Sequence, residues 1–110
     1  MTWTDSAHGT QTATVGTEHT LDTPTVNGTY EAALDLSNLV LGEAVEVRIY
    51  RKNLTGGTAK VVWKGTFDYA YAQITPIAQM PPTPMPYGGK VTLKQLSGTG
   101  RNFDWEHSYV

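Results

Sequence analysis

A chain of 110 residues has room for one domain and one modest core, burying on the order of 65% of the surface its unfolded form exposes. Its formal charge of −2, with the eight Lys and Arg scattered along the chain, argues against the clustered basic surface of a nucleic-acid binder. The absence of cysteine excludes disulfides, thiol nucleophiles and zinc–thiolate sites, so stability has to come from packing or assembly.

Residues 1–9 are polar and aperiodic, with Trp3 the only aromatic. They are expected to form an arm that is flexible or ordered by a partner, leaving 10–110 as a single folded domain. The same stretch has neither a basic start nor an apolar run, so no signal peptide is expected there. No apolar stretch approaches the ~20 residues a membrane helix requires, so no membrane contact is expected.

Thr10 to Val15 is Thr-rich and β-prone, Gly16 offers a turn, and Glu18 to Leu21 reads as a second short strand. Pro24 and the Asn27-Gly28 pair mark the following turn. From Thr29 to Leu36, Tyr30, Ala32, Leu34 and Leu36 alternate with Thr29, Glu31, Ala33 and Asp35, which predicts a half-buried strand running into a turn capped by Asp35, Ser37 and Asn38. Ala44 to Lys52 is the cleanest strand, with Val45, Val47 and Ile49 inward and Glu46, Arg48, Tyr50 and Lys52 outward. Asn53 to Gly57 has the length and glycine content of a hairpin loop, so the partner strand should begin near Thr58. Large apolar side chains at Val61, Trp63, Phe67, Tyr69 and Tyr71 then predict one long strand, or two broken near Gly65.

Five of the six prolines fall between Gln73 and Gly89. Prolines donate no backbone hydrogen bond, so Met80 to Pro86 is expected to be an extended, polyproline-like surface segment. Val91 and Leu93, then Phe103, Trp105, His107 and Tyr109, flank Gly98-Thr99-Gly100 and predict a closing β-hairpin. Together the pattern describes an all-β domain, an antiparallel β-sandwich or jelly-roll-like fold of about seven to eight short strands.

Chemistry is harder to find. Asp104 and Glu106 share the strand face opposite Trp105 and His107, as paired carboxylates for acid and base work could, but two acids on a solvated face are the simpler reading. His8, His19 and His107 do not fall at metal-ligand spacing with another ligand on a common face. Ser97, His107 and Asp104 lack a nucleophile elbow, and Gly98-Thr99-Gly100 lacks the Lys-Ser/Thr of a phosphate loop. No catalytic residue, cofactor or metal is expected.

Trp63, Phe67, Phe103 and Trp105 are read as core by their period of two, with a sugar-stacking platform, and hence a carbohydrate-binding module, as the alternative. Trp3, Tyr50 and Tyr87 fall off the core faces. With Met80, Pro81, Pro82, Pro84, Met85 and Pro86 of the stiff segment, they are the candidate interface residues, since aromatics anchor interfaces and a pre-ordered arm loses little entropy on docking.

Three blocks carry a resemblance: Gly16 to Leu21 (GTEHTL), Leu34 to Lys52 (LDLSNLVLGEAVEVRIYRK) and Val91 to Trp105 (VTLKQLSGTGRNFDW). Over about residues 16–106 the chain resembles a group of small tailed-bacteriophage virion proteins, departing from it in the proline run and the polar N-terminal arm. The resemblance implies a non-enzymatic structural protein of the particle, made in the host cytoplasm and placed on the capsid surface. Capsid decoration (cement) is the role it favours, with the major capsid protein as partner and self-association, by analogy as a trimer. A tail, neck or baseplate component is the alternative within the same setting.

Overall fold

The computed structural model describes residues 2–110 and contains nine strands and one short helix. Three strands are laid down by strict alternation: β3 (Gly28–Asp35), β4 (Ala44–Arg51) and β8 (Gly89–Gln95). Tyr30, Ala32 and Leu34 of β3 are buried, as are Val45, Val47 and Ile49 of β4 and Val91 and Leu93 of β8. Each set lines one face of its strand, and the two sheets bury these faces against each other.

The first sheet runs β1 (Thr4–Thr12), β9 (Asn102–Tyr109), β3 and then an edge made of two pieces, β6 (Ile77–Gln79) and β7 (Thr83–Met85), both paired to β3. The second runs β2 (Glu18–Asp22), β8, β4 and β5 (Lys60–Asp68). All pairings are antiparallel. This is the all-β sandwich expected, with nine strands rather than seven or eight.

The N-terminal segment differs from its expectation. Met1 lies outside the described residues, but Thr4 to Thr12 pairs with β9 from Thr4↔Tyr109 to Thr12↔Asn102, so Thr4 to Gly9 belongs to the sheet and is not an arm. The backbone ladder orders it, and a ladder needs no apolar side chains of its own. That is why a polar segment could read as an arm.

The closing pair is a second correction. β8 and β9 lie in opposite sheets, so Leu96 to Arg101 is a crossover and not a hairpin turn. Buried Gln95 shapes it: its Nε2 donates to the carbonyls of Ser97 and Thr99 and its Oε1 accepts from Arg101 N. These contacts satisfy the turn's backbone without cross-strand pairing.

The stretch after Asp68 is helical. In α1 (Tyr69–Ile74) the Asp68 carboxylate accepts from Tyr71 N at 2.8 Å, an N-cap that ends the strand two tyrosines earlier than alternation predicted. The proline segment is not a free loop either. Its backbone completes the edge of the first sheet as β6 and β7, interrupted at Pro81 and Pro82, and Pro84 on that edge offers no backbone donor to another chain.

Candidate functional site

The nine expected interface residues scatter over the fold. Met80 and Met85 are core residues at 2% and 1% exposure, so neither side chain can supply the contact expected of it. The strand geometry of β7 explains this, because Thr83 and Met85 point inward while Pro84 points out. Pro81, Pro82 and Pro84 are exposed and Pro86 is half-buried. Tyr50 is half-buried on the outer face of the second sheet, where its hydroxyl donates to Glu18 Oε2 at 2.6 Å and the Lys90 ammonium lies 4.5 Å from its ring centroid. Tyr87 is exposed in the β7–β8 connection. Trp3 is exposed as well, and lines a groove with Gln79, at the start of the proline segment.

The inward tryptophans lie against the core. Trp63 packs against the core with its ring 6.5 Å from Phe67, and Trp105 packs against the core from β9, half-buried.

Besides the exposed His8–Asp5 pair, titratable groups meet at three places. Where β1 and β2 approach, Ser6 Oγ and His107 Nδ1 both donate to Asp22 Oδ2, each at 2.7 Å. The register of β1 shifts between Asp5 and Ala7 and that of β2 between Thr20 and Asp22, and these irregularities aim Ser6 and Asp22 between the sheets. In a hydrolytic triad the serine bonds the imidazole and the carboxylate orients it from the far side. Here serine and histidine share one carboxylate oxygen, which ties the sheet edges together. The Ser97, His107 and Asp104 set does not assemble: His107 is buried, Asp104 is exposed and bonded to Thr10, and Ser97 donates to Gly42 O.

The second place is the crossover. Buried Glu43 accepts from Arg101 Nε, Val40 N and Thr99 N, and the Arg101 guanidinium beside it holds its carboxyl down to about 2 against the opposing effect of burial. On the outer face of the second sheet, Glu18 accepts from Thr92 and Tyr50, and these bonds, with Arg48 nearby, lower its pKa. Arg48 also donates to Glu46 at 2.6 Å. These are structural networks, each satisfied from within the chain. Among the described residues, no three His, Asp or Glu side chains converge as a metal site.

Exposed apolar side chains include Val26 and, at the β4–β5 hairpin, Leu54, Val61 and Val62, and they gather most densely at one end of the sandwich. The end is built from the β3–β4 connection, α1 with the residues after it, and the start of the β8–β9 crossover. Bonds from Leu36 N to Pro76 O, Tyr69 N to Glu43 O, Leu96 N to Ala44 O and Ser97 Oγ to Gly42 O knit these pieces together. It exposes Leu41 at 84% and Ile74 at 88%, with Val40, Ile77, Tyr71 and Leu96 also exposed. No Asp, Glu, Lys or Arg occurs from Leu36 to Gly42 or from Tyr69 to Gly89. That lack of charge is the signal for this end in the sequence.

The chain matches no family model, no curated protein and no solved structure.

Proposed function

We propose that this chain is a structural protein of a tailed-phage virion, of the capsid decoration type, which binds the outer shell at capsomer junctions. The observation that carries the reading is the uncharged apolar end. An 84% exposed Leu41 and an 88% exposed Ile74, gathered at one end with Val40, Tyr71, Ile77 and Leu96, are costly to leave in water and suit a surface made to be covered by another protein. The resemblance over residues 16–106 supplies the setting, and the major capsid protein is the partner it implies. Lattice binding multiplies a weak contact, so a small apolar end is enough when many copies bind an ordered array.

Copy number tests this. Quantitative mass spectrometry of purified particles of the phage encoding the chain should find it in hundreds of copies, lost when Leu41 and Ile74 are both replaced by serine. A count of six or twelve would move the protein to the tail, neck or baseplate, and absence from particles would remove the virion reading altogether.

A further inference from the structure

The two outer faces of the sandwich carry opposite charge. The strands of the first sheet contain five carboxylates, on Asp5, Glu31, Asp35, Asp104 and Glu106, and no Lys or Arg. Alternation puts all five on the outer face, since Phe103, Trp105, His107, Tyr30 and Leu34, next to four of them along the chain, turn inward, and Asp5 pairs with Ser108 on the same side as Glu106. The second sheet's outer face carries Arg48, Lys64, Lys90 and Lys94, offset in part by Glu18, Glu46 and Asp68. Among the described residues, neither Lys64 nor Lys94 takes part in an ion pair, and of the five acids only Asp5 does, with His8.

The acidic face is also shaped. A groove of about 450 Å³ runs across it, lined by Asp5, Glu31 and Glu106 with the Trp3 indole at its side. Carboxylates beside an exposed indole form a receptor for an ammonium group, which gains both ion pairing and attraction to the ring face. The molecule measures 42 × 30 × 19 Å, so each broad face can supply the roughly 800 Å² per partner of a specific interface.

We infer that the acidic face of the first sheet is a docking surface for a second copy of this chain, presented through the lysine face of its second sheet. Lys64 and Lys94 of one copy approach the groove lined by Glu31, Glu106 and Trp3 of the next. The contact joins two different surfaces that point in opposite directions, so it repeats without closing and builds an open stack. This inference rests on the charge pattern and not on the virion reading, and the two can fail separately.

Sedimentation of the full chain over a range of concentrations tests it. At about 0.01 M salt, where charges act over about 30 Å, the average mass should rise with concentration past that of a dimer. At about 1 M, where screening leaves about 3 Å, the chain should return to monomer. Glu31→Lys with Glu106→Lys makes the groove basic, leaving Asp5 against two lysines, and Lys64→Glu with Lys94→Gln makes the opposing face of the second sheet acidic. Each variant alone should stay monomeric, with its circular dichroism unchanged, and an equimolar mixture should assemble as the native chain does. A native chain monomeric at low salt, assembly that stops at a dimer, assembly indifferent to salt, or a mixture that stays monomeric would each overturn the inference. A monomer that binds a hexalysine peptide through Glu31 and Glu106 would overturn it too, assigning the face to a basic partner protein.

Discussion

Arg101 Nε lies 2.9 Å from Oε1 and 3.1 Å from Oε2 of Glu43, so a carboxylate just ahead of β4 grips the chain as it crosses from one sheet to the other. Removing the guanidinium in Arg101→Ala leaves a buried carboxylate with only its backbone donors. The expected cost is about 2 kcal/mol, read as a lower urea midpoint.

The same pair sets an acid-sensitive component of stability. The folded carboxyl of Glu43 is held at about 2 against an ordinary 4.5, so the folded state binds the proton less well than the unfolded chain. Its contribution is therefore complete above about 4.5 and is lost as pH falls toward 2. Urea midpoints measured down this range should drop for the native chain, and Glu43→Gln, already weakened at neutral pH, should lack this part of the drop. Equal slopes for the two proteins would refute the assignment.

Truncation of residues 1–9 removes more than half of β1 and the Ser6 donor to Asp22. It should destabilise the fold by about 2 kcal/mol or more, lowering the melting temperature by about 10 °C. Asp22→Ala, which leaves Ser6 and buried His107 without their shared acceptor, should cost about 2 kcal/mol by itself. A truncated chain as stable as the whole one would restore the expectation of a free arm.

Within the proline segment, neighbouring substitutions should part company. Met85→Ala opens a cavity at a residue 1% exposed and should cost about 2–5 kcal/mol, whereas Pro84→Ala, at an exposed edge position, should stay within about 0.5 kcal/mol. Similar melting temperatures for the two variants would mean the segment is not part of the sheet.

Leu41→Ser with Ile74→Ser should leave stability within about 0.5 kcal/mol, because neither side chain is packed, and abolish retention on particles. Unchanged retention would show that attachment runs through another surface.

The strands and their inward faces were legible from the chain itself. Alternation at Tyr30, Ala32 and Leu34, at Val45, Val47 and Ile49 and at Phe103 is a local property, and burial of one strand face follows from it wherever the strand pairs. The hairpin of β4 and β5 was equally local, set by its glycine loop. Which strand pairs with which was not. β8 and β9 are close in sequence yet lie in opposite sheets, because Gln95 and Glu43 satisfy the crossover's backbone through contacts that reach as far as 56 residues along the chain. Thr4 to Gly9 looked like an arm because a backbone ladder leaves no mark on side-chain pattern. Met80 and Met85 looked like surface because their inward direction depends on pairing with β3. Charge is the clearest case: cations and acids interleaved in sequence become two opposed faces once pairing assigns each strand to a sheet. Periodicity is written in neighbouring residues, whereas partner, sheet and face are decided by hydrogen bonds between residues far apart in the chain.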